Sequence, residues 1–357
     1  MLTDYLFTYY ALFIMLGGIL ILTFYDVFLD RRMIRCLRIA TFLILALSLS
    51  DTLEKYYAEF DHVTVWRYIF SSLSYTIRPT IMVLIIFMVH RAIRFVVILP
   101  AVINMLFAFS WPFTDVVFYF DKKNVFVRGP LAYTAYVISA IYLLYLLILS
   151  IKFVSEDSYE ESQILFFIAL AAIGAALFGI WLPDTETVVN YTFGADVLLY
   201  YLYTYFQFTK RDALTGLYNR QTYYNGIRRY EQDVLGVISI DMNNLKWLND
   251  TYGHDAGDQG LVALSECIKN ELSFGDKAYR IGGDEFVIFC RNSLGDIEQI
   301  SAKIRSSVTQ KGYSCALGYT SEGTISQMIK EADRLMYEDK ARIKKQMKLD
   351  GRMPVRD

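Results

Sequence analysis

Residues 277–290 read KAYRIGGDEFVIFC. Two short runs of strand-forming residues, Lys277–Ile281 and Phe286–Cys290, flank Gly282-Gly283-Asp284-Glu285. Glycine pairs and acidic residues at that position favour a tight turn, so the stretch predicts a β-hairpin. Upstream, Val234–Ile240 (VLGVISI) is an apolar run of strand length, followed by Asp241. His254–Leu272 is helical in pattern, with Leu261, Leu264, Ile268 and Leu272 on one face. Asp296–Thr309 and Ile325–Met347 are amphipathic helices on either side of a further strand, Tyr313–Thr320. The order strand, helix, hairpin, helix, strand, helix predicts an α/β domain with helices on a mostly antiparallel sheet.

The rest of the chain has a different composition. Of the first 208 residues 29 are charged, against 43 of the last 149. The whole chain is 55% hydrophobic and 20% charged, with a mean hydropathy of +0.31. Soluble domains carry about 25% charged residues. Those values exclude an ordinary cytosolic enzyme, a disordered regulator and a disulfide scaffold. They imply a membrane half, 1–208, a soluble half, 209–348, and a short tail, 349–357. Net charge is −3 for the first 208 residues and +1 for the remainder, which gives no reason to expect a nucleic-acid partner. Cys36, Cys267, Cys290 and Cys315 show no metal-ligand spacing, and the last three read as small buried hydrophobes.

Crossing a bilayer takes about 20 mostly apolar residues per helix. Seven segments qualify: 5–29, 33–50, 68–89, 93–113, 131–151, 163–182 and 189–208. The first lacks a preceding basic residue and a small-residue cleavage site, so it is expected to stay as a span. Alternating from Arg31, Arg32, Arg35 and Arg38, the inner segments hold nine Lys/Arg (with Arg91, Arg94, Lys152, Lys210 and Arg211). The outer ones hold five: Lys55, Arg67, Lys122, Lys123 and Arg128. This bias puts the N-terminus outside and the soluble half in the cytoplasm. Outside, Val116–Arg128 predicts a hairpin, either a lid on the helix ends or a ligand-contacting element. Arg78 and Asp196 are ionisable residues at membrane depth, expected to pair, to contact a ligand or to snorkel from helix ends. Tyr200, Tyr201, Tyr203, Tyr205 and Phe206 read as an aromatic belt at the inner surface.

Three motifs then give the soluble half a family resemblance. RDALTGLYNR (211–220), DMNNLKWLNDTYGHDAGD (241–258) and RIGGDEF (280–286) resemble, in order and spacing, the GGDEF diguanylate cyclases. The resemblance covers residues 209–345. It implies a palm-like fold related to nucleotidyl cyclases and polymerases, and the joining of two GTP into cyclic di-GMP with release of two pyrophosphates. The expected architecture is therefore an all-α transmembrane helical bundle followed by an α/β, nucleotidyl-cyclase-like GGDEF domain.

Attack of a 3′-hydroxyl on an α-phosphate needs positioned divalent metal, cationic clamps and a base reader. Asp241 after a strand and Asp284-Glu285 in a turn could converge on Mg²⁺, which takes one or two carboxylates plus phosphate oxygens and water. Alone, one such carboxylate is ordinarily a cap or a solvated turn. The Gly282-Gly283 turn, where backbone can approach a ligand closely, favours a site. By the resemblance, Asp241 and Asp284 are metal ligands (Mg²⁺ or Mn²⁺), with the Met242 carbonyl, and Glu285 is a further ligand or the base for the 3′-hydroxyl. Lys246, Lys340 and Lys344 match phosphate-binding cations, Asn244 and Leu245 match nucleotide-binding positions, and Lys246 joins Asp284 and Glu285 as the expected catalytic residues. Asn249 and Asp258 match guanine-contacting positions. A carboxylate can accept from guanine N1–H and N2–H₂ and finds no such donor pair on adenine. His254 is structural in this pattern.

The departures are specific. The family's DxDxFK is Asp241-Met242-Asn243-Asn244-Leu245-Lys246, without the second Asp and the Phe. KxxGRN becomes Lys340-Ala341-Arg342-Ile343-Lys344-Lys345, which keeps a charge at 344 but not the arginine fork. The RxxD of the family's product-inhibition site is Ser273-Phe274-Gly275-Asp276, so feedback through that site is not expected. The expected protein is an inner-membrane receptor-cyclase. Its partners are GTP, a second copy of itself, the lipid bilayer and an extracellular or intramembrane ligand. Two rivals are a catalytically inactive GTP-binding receptor signalling by contact, and a transporter with a regulatory domain.

Overall fold

The computed structural model describes residues 7–25, 29–90, 95–155, 159–181, 186–292 and 297–349. The chain divides into two compact units, Met1–Phe206 and Gln207–Asp357. Arg91, Arg94 and the tail residues 350–357 lie outside the described residues.

The first unit is helical: α1 (Tyr10–Tyr25), α2 (Arg31–Ala58), α3 (Val65–Val89), α4 (Phe95–Ala108), α5 (Thr134–Ser155), α6 (Tyr159–Trp181) and α7 (Glu186–Thr209). Side-chain caps set two of the starts: Asp30 accepts from the Met33 amide (2.6 Å), and Thr64 from that of Arg67. Helices therefore lie over all seven expected segments. Four of them, Arg31–Ala58, Val65–Val89, Thr134–Phe153 and Glu160–Phe178, are long and apolar enough to cross a membrane, while Tyr10–Tyr25 and Phe95–Ala108 are apolar but shorter. One face of each packs inward through residues such as Leu16, Leu37, Ile44, Ile81 and Leu146. Ile14, Phe42, Ile148 and Phe166 stay exposed, so these helices are apolar on their outer faces as well.

The hairpin expected over 116–128 is present as β1 (Phe118–Phe120) paired antiparallel with β2 (Phe126–Arg128). Asn124 turns it with a left-handed backbone. The Asn124 amide donates to the Tyr57 and Phe60 carbonyls at 3.0 and 2.8 Å, and Arg67 bonds both Asn124 and Glu54. The hairpin is thus packed onto the ends of α2 and α3.

Three expectations change. Arg78 pairs with Asp51 at 3.2 Å, not with Asp196. Both Arg78 and Asp196 sit well inside their helices, so neither is an end residue that snorkels. Asp196 is buried, and its Oδ2 has no hydrogen-bond partner. Tyr200 and Tyr201 are buried in the bundle rather than forming a surface belt, while Phe206 is exposed.

The second unit is built on four antiparallel strands in the order β4–β5–β3–β6: β3 (Gly236–Met242), β4 (Lys277–Arg280), β5 (Glu285–Cys290) and β6 (Cys315–Thr320). All seven residues of β3 are buried, because strands flank it and helices cover both its faces. Ile238, Ile240 and Met242 face α10 (His254–Glu271) and α11 (Ile297–Gln310); Val237 faces α8 (Arg220–Arg229) and α12 (Ile325–Leu349). The remaining helix, α9 (Leu245–Tyr252), follows β3 directly. Neither α8 nor α9 was legible as a helix, since both are short and polar. The strand also runs two residues further than its apolar run, so Asp241 lies within β3, not after it. Cys267, Cys290 and Cys315 are all buried, as expected.

Helix α12 crosses the sheet at Gly318 of β6. A Cβ there would collide with the Ala332 carbonyl oxygen and the Met336 amide nitrogen, both helix backbone. Gly318→Ala is therefore expected to push α12 off the sheet and destabilise the unit by about 2 kcal/mol. Chemical unfolding of the variant beside the parent chain checks this.

Candidate functional site

The site is assembled where β3 ends beside the β4–β5 turn. Asp241 lies opposite Glu285 in the ladder, and the Met242 amide donates to the Asp284 carbonyl at 2.9 Å. Strand alternation turns Asp241 toward α12, as it does Ser239. The Ser239 hydroxyl donates to Asp333 at 2.7 Å, and two turns along α12 the Lys340 ammonium meets Asp241 Oδ2 at 2.6 Å. Asp241 is 3% exposed, and its other oxygen, Oδ1, is buried without a hydrogen-bond partner. Burial raises the Asp241 carboxyl above its ordinary value; the Lys340 bond opposes this, and the nearby Asp284 and Glu285 charges add to it. Burial works against the Lys340 charge, but the bond to Asp241 outweighs it and holds the ammonium above its usual value.

That orphaned oxygen makes the donor set fit a hard cation. Among the described residues no three carboxylate, imidazole or thiol groups close into a cage. A Mg²⁺ ion here would draw one or two ligands from Asp241, Asp284 and Glu285 and the rest from phosphate and water. The turn leaves room for this: nothing lies within 4 Å of where a Cβ on Gly283 would stand.

Asn244 carries the chain from β3 into α9 with φ +60°, a left-handed conformation that asparagine tolerates better than most residues. Asn243, at the position of the missing second Asp, is pinned to Ser314 through its backbone and side-chain amides, both at 2.9 Å. Leu245 turns inward and packs against the core rather than offering a binding face. Asn249 lies against the Cα of Gly257, where a Cβ would strike its Oδ1, which brings it beside Asp258. Lys246, Asp258 and Lys344 are exposed; Lys344, one turn beyond Lys340, stands outside the Asp241 pair. His254 is exposed at the start of α10.

Two residues without an expected role hold the turn. Arg280 donates to the Gly283 carbonyl (2.9 Å) and to Asp212 (3.0 Å). Asp212 also accepts from the Thr215 amide and hydroxyl. Burial raises its carboxyl, but those bonds and Arg280 leave it below its ordinary value. The motif at 211–220 is thereby fastened to the hairpin, and the Tyr218 backbone adds to the edge of β4. Their signal was only that both lie inside the quoted motifs. Asp276, the remnant of RxxD, accepts from the Ser273, Arg291 and Asn292 amides and so acts as a loop brace.

Residues 209–346 match the family described as "Diguanylate cyclase, GGDEF domain". The chain carries a GGDEF domain over those residues. It is 33% identical over 145 residues to diguanylate cyclase DgcS of Shewanella oneidensis, covering 36% of this chain and 49% of that protein. It is 34% identical over 143 residues to probable diguanylate cyclase DgcJ of Escherichia coli, covering 36% of this chain and 29% of that protein. The chain therefore spans less than half the length of either relative. Among solved structures it is similar to the coiled coil and GGDEF domain of DgcB from Caulobacter crescentus in complex with c-di-GMP. That likeness has a TM-score of 0.38 and 20% identity, covering 43% of this chain and 92% of that one.

Asp339, next to Lys340, anchors α12. It accepts from Arg305 (2.7 Å), the Leu317 amide of β6 (3.0 Å) and Arg342 (2.5 Å). Burial works against its charge, but these donors hold the carboxyl below its ordinary value. A depressed folded value adds stability above the unfolded-state Asp value, and that increment is lost as pH falls through the folded one. Asp339→Asn is expected to cost about 2 kcal/mol at pH 7. The gap from the parent chain should close on acidification, with faster exchange of the Leu317 amide hydrogen at neutral pH.

Proposed function

We propose that the chain is a membrane-bound diguanylate cyclase. It joins two GTP into cyclic di-GMP with release of two pyrophosphates, under control of a signal received by its helical unit. The observation that carries this is Asp241: a buried carboxylate with one oxygen on Lys340 and the other unpartnered, beside an intact Gly282–Phe286 turn in a GGDEF domain. Asp241, Asp284 and the Met242 carbonyl would hold a divalent cation, which would neutralise triphosphate charge. Lys340, Lys246 and Lys344 bind phosphate oxygens as point charges. Asn249 and Asp258, adjacent across Gly257, receive the guanine edge. Glu285 adds a further ligand to that cation or receives the proton of the attacking 3′-hydroxyl. Each unit binds one GTP and the product is two-fold symmetric, so turnover takes place in a homodimer. The helical unit crosses the inner membrane seven times with its N-terminus outside; four helices long and apolar enough to cross, and the Lys/Arg bias, support this reading.

The test is product formation from GTP and Mg²⁺ by the full chain in nanodiscs. Asp284→Ala is expected to lower the rate about 100-fold or more. A dimeric chain that binds GTP and forms no product under any loading would favour contact signalling instead. Micromolar cyclic di-GMP is expected to leave initial rates unchanged, because Ser273 stands where an arginine is needed and Asp276 is already engaged. Strong non-competitive inhibition would contradict that.

A further inference from the structure

The helical unit contains a polar cluster that the reading of the GGDEF domain does not use. Asp51 of α2 is 4% exposed among apolar helices, yet both its oxygens are occupied. Oδ1 accepts from the Ser74 hydroxyl at 2.5 Å and from Arg78 at 3.2 Å. Oδ2 accepts from Arg78 at 3.2 Å and from the Asn190 side-chain amide at 2.8 Å. Ser74 and Arg78 are one turn apart on α3, hence on one face. Asn190 is on α7, fully buried, and its amide also donates to the Tyr9 hydroxyl at 3.2 Å. The next residue, Tyr191, donates to the Thr8 carbonyl at 2.7 Å.

A charged pair at this depth is costly unless every partner is in place, so such clusters have few acceptable arrangements. Hydrogen bonds between helices in an apolar medium fix their register. Asn190 is the point at which α7 joins the Asp51–Arg78 pair. The same helix runs without interruption to Thr209, the first residue of the GGDEF match. A change at Asn190 is thereby a change in the element that leads the catalytic domain.

We propose that the Asp51–Arg78–Asn190 cluster is a latch that holds α7 in one register against α2 and α3, and that its opening resets the turnover of the GGDEF domain. The second half of this rests on the cyclase reading above; the first half does not.

The experiment uses the full chain in nanodiscs with two readouts. Spin labels at Ile39 and Phe206, exposed positions on α2 and α7, report the distance between those helices. Cyclic di-GMP formation reports turnover. Asn190→Leu removes both bonds from α7 and leaves the Asp51–Arg78 pair intact; Ser74→Ala removes a bond that α7 does not make. The expected result is a shifted or broadened distance with a change in turnover of about five-fold or more for Asn190→Leu, and neither for Ser74→Ala. An assembled Asn190→Leu chain with the parent distance would overturn the latch. A changed distance with unchanged turnover in an active protein would keep the latch and overturn its control of the GGDEF domain. If the parent chain forms no product, the cyclase reading fails and the distance alone decides the latch. Asn190→Ala carries the same test if Asn190→Leu does not assemble.

Discussion

A buried carboxylate in the central strand is the constraint on which the C-terminal unit is organised. Asp241 lies in β3, which has strands on both edges and helices on both faces. A charge there is tolerated only with a counter-charge, and the nearest one comes from α12 through Lys340. The sheet must therefore admit α12 closely enough for a lysine to reach the strand. Gly318 does this by letting helix backbone lie directly on β6. The Ser239–Asp333 bond and the three donors to Asp339 fix the helix along its length. Stability and chemistry share this seam, since the contacts that dock α12 also set where Lys340 stands.

The turn that completes the site is held from the other side. Arg280 ties the Gly283 carbonyl to Asp212, and the Tyr218 backbone extends the edge of the sheet. Two glycines make the turn permissive, and a bidentate guanidinium makes it definite. Flexibility in the local sequence is thus offset by a long-range clamp, which fixes the backbone that carries Asp284 and Glu285.

Much of this was legible in the chain. The hairpin at 277–290, the later helices and the last strand follow from apolar spacing, because each buries one continuous face. The residues that failed were those whose state is set by partners distant in sequence. Asp241 looked like the residue after a strand because it is charged, yet β5 and β6 carry the ladder past it. Leu245 stood at a binding position of the motif and packs into the core. A pair with Asp196 was one reading of Arg78, whereas its partner Asp51 fell one residue beyond a predicted helix end. That helix continues to Ala58, because Ser48, Asp51 and Thr52 are polar groups buried against other helices and not the beginning of a loop.

Among the described residues, three buried acids that pair with bases across elements show what sequence withholds. Asp51, Asp241 and Asp339 are the same residue type, each at least nine-tenths buried and each facing a cation. Asp51 and Asp339 have donors on both oxygens, which makes them fasteners between elements. Asp241 keeps one oxygen unpartnered next to a turn with open space at Gly283. A buried acceptor in that condition is costly until something binds it. The unfilled capacity, more than the charge or the burial, is what sets Asp241 apart from these two fasteners, and it depends on donors that arrive from α12, β5 and β6 only once the chain has folded.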